Sequence, residues 1–573
     1  MADRAGTTGT VREAAFAVMR EVGLTTIFSN PGSTEVPFLA DLPDDIDFVL
    51  ALHEASVVGI ATGHALATGR PALALVHTTA GLGNAVAAIA TARVNRAPVV
   101  VVVGQQDRRH LALEPFLTGR LAGLAGDYPV EVLAPVWAGD VPSAIARAAH
   151  RAHAAQGPVL LIVPMDDWDQ PATPDAVAAP QRLVAAPPGL PAELDELVEE
   201  VSGARAPAIL AGAGVDTPAG WDAVRRLARA VGARVYAEPF GARAGFDQTD
   251  EAYAGQLPAD RTRLREVLAG HDLLLVLGTA AIRQYPYETG PLAPEATRIV
   301  VVTGDVAEAV RSPAALCVVA DPAVVTRAVA DALAEVLAAV PDDVPADVSA
   351  EAGPDLAGEE PHTATPSEPE RTGSSERDAR HTGTTSSTAG TLRPEDVFAV
   401  LAEHLPAETV LIEESPSSRP ALQAMVPARV PMGFLSAAMG GLGFALPAAV
   451  GVKMARPDAP VITVVGDGSS LYSIQALWTA AHRGVGVLFL VLANGRYAVM
   501  DRLADRRGGK APWPAFPEVS VSTLAAGLGV RAVRVETAAE LTATLPGLCA
   551  GLAERTEPLV VEVAVEAGTH FEP

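Results

Sequence analysis

Two short runs in the C-terminal third carry residue types suited to holding a metal ion and a diphosphate: Gly466-Asp467-Gly468-Ser469 and Ala493-Asn494-Gly495-Arg496. The first follows an apolar, β-branched run, Val461 to Val465, and precedes a helical pattern over Ile474 to Ala481. The second follows another apolar run, Val487 to Leu492, and Asn494 stands twenty-seven residues beyond Asp467. If the two runs are neighbouring strands, Asp467 and Asn494 emerge side by side at the carboxyl edge of a sheet, where open α/β sheets place ligands. A carboxylate, an amide oxygen and a main-chain carbonyl are ligands that Mg²⁺ accepts, and diphosphate oxygens can complete the octahedron. The glycines permit a tight turn and close backbone approach. Either run alone also suits an ordinary turn; the pair, with a strand ahead of each, points to a metal–diphosphate site.

Elements able to position such a site recur along the chain. Ala72 to Val76, Val99 to Val103, Val159 to Val163, Leu273 to Leu277 and Arg298 to Val302 are further short runs rich in β-branched or leucine side chains. Continuous apolar runs of this length predict strands buried on both faces, as in parallel sheets covered by helices. Ala144 to Ala154 and Pro322 to Leu337 repeat apolar residues at the helical period between them. Alternation of the two patterns predicts α/β domains with doubly wound parallel sheets, and three of them: residues 8–175, 190–340 and 392–570. Pro341 to Gly390 holds eleven acidic residues against three basic and almost no large apolar side chain, so a flexible acidic linker is expected at 341–391.

At 573 residues, with 49% apolar and 19% charged side chains, the chain has material for several cores. A formal net charge of −26 disfavours nucleic acid and anionic membrane surfaces as partners. An anionic substrate must then be drawn in by a local field, such as a bound cation. The two cysteines, Cys317 and Cys549, have no disulfide or zinc spacing, which fits a reducing, cytoplasmic setting. No run is long and apolar enough for a membrane span, and the first residues show no secretory apolar core.

The run from Gly466 to Asn494 resembles the cofactor motif of thiamine-diphosphate-dependent enzymes, and the likeness extends over nearly the whole chain. Asn30-Pro31-Gly32-Ser33-Thr34-Glu35, Leu52-His53-Glu54-Ala55 and His77-Thr78-Thr79-Ala80-Gly81-Leu82-Gly83-Asn84 resemble segments of the benzoylformate decarboxylase group within that family. So do Gly104-Gln105-Gln106, Asp166-Asp167-Trp168-Asp169 and Gly440-Gly441-Leu442-Gly443-Phe444-Ala445-Leu446-Pro447.

The resemblance implies a function, non-oxidative decarboxylation of an aromatic or bulky 2-keto acid by a lyase using thiamine diphosphate and Mg²⁺. It implies roles as well. Asp467 and Asn494 side chains and the Arg496 carbonyl hold Mg²⁺, with Gly466, Gly468, Ser469 and Tyr497 around the diphosphate. Glu54 pairs with the pyrimidine ring, Leu442 props the cofactor into its bent shape, and the Gly440 carbonyl receives the pyrimidine amino group. Ser33 binds the substrate carboxylate, His77 moves protons, and Val499 and Met500 line the substrate pocket. The cofactor is expected between two copies of the chain, in a dimer of dimers (a homotetramer).

The resemblance also has gaps. Tyr285 stands where the group has a second active-site histidine, and a phenol is a weaker acid near neutral pH than imidazolium. That substitution opens an alternative, a carboligase that joins two carbonyl compounds in the manner of acetolactate synthase. Gly212-Ala213-Gly214 hints at a dinucleotide turn, but Thr217 stands where a third glycine is needed, so FAD is not expected.

Overall fold

The computed structural model describes residues 9–173, 180, 183, 190–339 and 391–567. The linker expected at 341–391 lies, apart from its last residue, outside them.

The seven apolar runs read as strands are all strands, Val487 to Leu492 appearing one residue later as Leu488–Ala493. The two helical patterns are the helices Val141–Ala155 and Pro322–Ala339, and the pattern over Ile474 to Ala481 is the helix Ala476–Arg483. Burial explains the pattern: Val99 to Val103 is at most 3% exposed, because helices cover both faces of its sheet.

Among the described residues the strands form three six-stranded, all-parallel sheets. The first comprises β1 (Thr26–Asn30), β2 (Asp47–Leu50), β3 (Ala72–His77), β4 (Val99–Gln105), β5 (Glu131–Leu133) and β6 (Val159–Pro164), in the order β2-β1-β3-β4-β6-β5. The central sheet comprises β7 (Pro207–Ala211), β8 (Arg234–Ala237), β9 (Tyr253–Gln256), β10 (Leu273–Leu277), β11 (Arg298–Thr303) and β12 (Leu316–Val319), in the order β12-β11-β10-β7-β8-β9. The third comprises β13 (Val410–Glu414), β14 (Phe434–Ser436), β15 (Val461–Gly466), β16 (Leu488–Ala493), β17 (Arg531–Val535) and β18 (Leu559–Ala564), in the order β14-β13-β15-β16-β18-β17.

The first and third sheets thus share one topology. Each reverses its winding between its first and third strands, and ligands of open α/β sheets bind outside the carboxyl ends at such a reversal. In the first sheet that place is the end of β1 and β3, at Asn30 and His77; in the third it is the end of β13 and β15, at Glu414 and Gly466. The central sheet reverses between β7 and β10, at Ala211 and Leu277.

The outer two domains share one apolar core, and the helix Glu54–Thr68 lies against the helix Ala445–Ala455. Small residues permit the approach. A Cβ on Gly63 would lie 2.0 Å from the Ala448 carbonyl oxygen, and one on Gly451 1.9 Å from that of Ile60. Both helices begin next to segments that carry expected site residues, Glu54 on one and the Gly440–Leu442 turn on the other.

Candidate active site

The third sheet brings Asp467 and Asn494 to one edge, as their paired apolar runs predict. β15 and β16 are hydrogen-bonded neighbours, with Gly466 opposite Leu492, so Asp467 and Asn494 leave the sheet at the same edge. Asp467 opens a single helical turn, Asp467–Ser470, and is 4% exposed. Its Oδ2 accepts the Gly495 N–H (2.6 Å) and its Oδ1 the Gly468 N–H (2.7 Å), which ties the two loops together. Burial raises the Asp467 carboxyl above the ordinary aspartate range, against the N–H groups that favour its charge. A cation beside it would act in the same sense as those donors. Asn494 Oδ1 accepts the Arg496 N–H (3.1 Å), a local turn that leaves Arg496 exposed, with its guanidinium 3.6 Å from Asp501. The Tyr497 ring packs edge-on to Phe516 and crosses Gly468 so closely that a Cβ there would sit 2.7 Å from it. Ser469 is buried beside Gly466. The donors are all hard oxygens; among the described residues no cluster of three or more His, Cys, Asp or Glu side chains could hold a metal ion.

Beside these loops a cavity of about 860 Å³ opens between the central and C-terminal domains. Phe240, Arg283 and Tyr285 line it from one side, and Gly440, Leu442 and Val499 from the other. Tyr285 is 52% exposed and its ring lies 6.1 Å from that of Phe240. Met500 is 45% exposed and is not among the lining residues. Gly440 and Gly443 adopt φ of +72° and +98°, values that favour glycine, so this turn depends on residue type. Glu414, at the end of β13, accepts N–H bonds from Gly443 (2.6 Å), Phe444 (2.7 Å) and Ala445 (2.7 Å) and so anchors the far side of the turn. Burial pushes its carboxyl up to about 7 despite these donors.

The N-terminal domain gathers the remaining residues. Glu54 begins its helix, is 8% exposed, and accepts one amide on each oxygen: Asn30 Nδ2 (3.0 Å) and Asn84 Nδ2 (3.0 Å). His77 ends β3, and its Nδ1 lies 2.9 Å from Thr34 Oγ1 and 3.1 Å from Glu35 Oε2. Glu35 is 1% exposed, also accepts the Gly32 N–H (2.7 Å), and presses on Gly104, where a Cβ would fall 1.8 Å from its Oε1. A buried carboxylate at Nδ1 fixes the imidazole tautomer and leaves Nε2 as the reactive nitrogen. The next residue, Thr78, has φ +27°, a strained value for a β-branched side chain. The Pro31–Ser33 turn runs over the His77 ring, with Ser33 exposed.

Within one chain these residues do not all border one cavity. Among the described residues Ser33, Glu54 and His77 do not line the cavity bordered by Tyr285 and Leu442. The motif readings did not assign roles to Asn30, Glu35 and Asn84, although each stands inside a quoted segment. Glu414, Phe240 and Arg283 carry no motif either; Glu414 ends β13, and Phe240 and Arg283 lie on the loops that follow β8 and β10, a placement visible only once the strands are paired.

Comparison with known proteins completes the picture. Residues 9–122 match the model for the thiamine pyrophosphate enzyme, N-terminal TPP binding domain, residues 194–329 that for the central domain, and residues 417–563 that for the C-terminal TPP binding domain. The chain is 35% identical to benzoylformate decarboxylase of Pseudomonas aeruginosa over 97% of its length and 99% of that protein. It is 26% identical to the acetolactate synthase large subunit of Parasynechococcus marenigrum, covering 83% of the chain and 75% of that protein. The solved thiamine diphosphate-dependent 4-hydroxybenzoylformate decarboxylase of Rhodococcus jostii RHA1 superposes with a TM-score of 0.85 at 31% identity, over 98% of this chain and all (100%) of that one. With its three domains matched in order and a relative aligned nearly end to end, the chain belongs to the thiamine pyrophosphate enzyme family.

Proposed function

We propose that this protein is a thiamine-diphosphate- and Mg²⁺-dependent lyase that decarboxylates an aromatic or otherwise bulky 2-keto acid, of the benzoylformate kind, to an aldehyde and carbon dioxide. The observation that carries the reading is the emergence of Asp467 and Asn494 together from β15 and β16, in a chain otherwise alike over its length to a benzoylformate decarboxylase. Bound thiamine diphosphate would supply the nucleophilic carbon and the electron sink that decarboxylation needs.

The chain's own residues do the rest. Asp467, Asn494 and the Arg496 carbonyl would hold Mg²⁺, and Gly466, Gly468, Ser469 and Tyr497 would border the diphosphate. Glu54, oriented by Asn30 and Asn84, would hydrogen-bond the pyrimidine ring. Gly440 would offer its carbonyl to the pyrimidine amino group, and Leu442 would support the bend between the two rings. Ser33 would receive the substrate carboxylate. His77, with Nδ1 held by Glu35, would move a proton at Nε2. Tyr285 and Val499 would shape the acyl pocket; Met500, expected beside them, is not among the residues that line it.

That Ser33, Glu54 and His77 do not border the cavity lined by Tyr285 and Leu442 is consistent with the site the resemblance implies, assembled from the N-terminal domain of one copy and the C-terminal domain of another in a dimer of dimers. Leu113 and Phe116 add to this: they are 83% and 86% exposed on the loop that leaves β4 at the site edge, and such side chains suit a subunit interface. The domain limits 8–175, 190–340 and 392–570, and a cytoplasmic location with Cys317 and Cys549 as free thiols, belong to the same reading. Among the described residues no helix is long and apolar enough to cross a membrane. FAD is left out of it: the Gly214 N–H is bonded to the Gly278 carbonyl (2.8 Å), and a Cβ on Gly214 would meet Gly278 Cα at 2.7 Å, so the turn packs on its own sheet.

The second reading is a carboligase, favoured by Tyr285 at the cavity wall. A panel of 2-keto acids, with thiamine diphosphate and Mg²⁺ and with or without an added aldehyde, separates the two. Carbon dioxide with free aldehyde supports the decarboxylase, coupled hydroxyketone as main product supports the carboligase, and no carbon dioxide from any keto acid contradicts both.

A further inference from the structure

β14 is the edge strand of the third sheet, and its outer side meets no strand of that sheet. The other two domains occupy it instead. The Ser436 N–H donates to the Ala242 carbonyl (2.9 Å) in the central domain, and Arg243 bridges to Leu435. Asn95 closes the helix Thr78–Val94 of the N-terminal domain and is 1% exposed. Its Nδ2 donates to the Ser436 carbonyl (2.9 Å), and its Oδ1 accepts the Ala438 N–H (3.0 Å). One side-chain amide thus replaces a peptide group of the missing neighbour strand, donor and acceptor together. Arg283, from the central domain, then donates Nη1 to the Ala438 carbonyl (2.6 Å).

Two residues further on, Gly440 turns the chain at φ +72° into Gly441 and Leu442. The backbone before this turn is therefore fixed from outside its own domain, by Asn95 on one side and Arg283 on the other. We propose that Asn95 and Arg283 are positioning residues that set the Gly440–Leu442 turn for cofactor binding. The proposal rests on the functional reading above, in which that turn supports the two rings of thiamine diphosphate. Asn95 acts through Ser436 and Ala438 and Arg283 through Ala438; Arg283 also borders the cavity, so its effect is read on the cofactor Kd and not on the substrate KM.

The test uses the full-length protein and thiamine diphosphate titrated in the presence of Mg²⁺, read by intrinsic fluorescence. Asn95→Asp keeps the shape and the acceptor but sets an oxygen against the Ser436 carbonyl. Its expected result is a cofactor Kd raised about tenfold or more, the effect of losing one buried hydrogen bond. KM for the keto acid at saturating cofactor should stay within about twofold, because the substrate-side residues are untouched. Arg283→Met should also raise the cofactor Kd, and the double variant by less than the product of the two, since both act on one segment. Should Asn95→Asp fail to fold, Arg283→Met decides alone. Cofactor Kd unchanged in the variants, even with a lowered melting temperature, overturns the proposal and leaves only domain docking. No uptake by the unaltered protein overturns the functional reading, and this inference with it.

Discussion

Glu35 offers the sharpest test of how the N-terminal half of the site works. It is 1% exposed, and its carboxylate serves His77 Nδ1 (3.1 Å), the Gly32 N–H (2.7 Å) and Thr34 Oγ1 together. Glu35→Gln keeps the volume and one acceptor oxygen but removes the charge. A hydrogen bond to a charged group contributes about 1.5–3 kcal/mol against roughly 1 kcal/mol for a neutral pair, so the grip on His77 weakens by about 0.5–2 kcal/mol. At the barrier this corresponds to a kcat lowered about 2- to 30-fold. The amide also presents an N–H that can face Nδ1, which favours the wrong imidazole tautomer and adds to the loss. The assay is steady-state decarboxylation at saturating thiamine diphosphate, beside a separate cofactor titration. A fallen kcat with an unchanged cofactor Kd is expected, since Glu35 sits at His77 and not at the loops after β15 and β16. An unaltered kcat, or a loss fully accounted for by weaker cofactor binding, would refute it.

Other expectations follow from the same geometry. Glu54→Gln should slow turnover by at least about 100-fold, the usual scale for losing an acid–base group, while the melting temperature stays near that of the parent. Gly451→Ala would push a methyl within 1.9 Å of the Ile60 carbonyl oxygen, and overpacking of this sort costs about 1–3 kcal/mol, so a lowered unfolding midpoint is expected. Glu414, raised by burial from an ordinary 4.5 to about 7, binds more protons folded than unfolded between those values; stability should fall as pH rises through that window. Glu414→Gln should flatten this slope in urea unfolding followed from pH 4.5 to 7, and an identical slope would count against the buried-carboxyl argument. Tyr285→His should raise the yield of free aldehyde relative to coupled product when an acceptor aldehyde is present, and unchanged product ratios would remove Tyr285 from the partition.

Much of this architecture is legible in the sequence because parallel strands buried on both faces leave unbroken apolar runs such as Val99 to Val103. Asp467 and Asn494 were legible for the same reason: each follows such a run, and the sheet makes them neighbours. Short edge strands were not. Glu131–Leu133 and Phe434–Ser436 are three residues each and owe their state to pairing with β6 and β13, a tertiary effect with no periodic signature. The polar frame of the site escaped for a related reason. Glu35 reaches His77 across forty-two positions, and Asn84 reaches Glu54 across thirty, so sequence spacing carries no trace of either bond. The resemblance gives Ser33 and His77 roles toward substrate but says nothing of the groups that hold the imidazole, Thr34 and Glu35. Asn95 stands in no motif, and only the folded chain shows its amide lying against Ser436 and Ala438.

The proposed function requires the loops after β15 and β16 to hold a magnesium-bound diphosphate. Titration of the purified protein with thiamine diphosphate, with Mg²⁺ and with the metal chelated, alongside Asp467→Ala, puts this to the test. Saturable, magnesium-dependent uptake of one cofactor per chain is expected, abolished in Asp467→Ala. Uptake that ignores both the metal and Asp467, or no uptake at all, would contradict it.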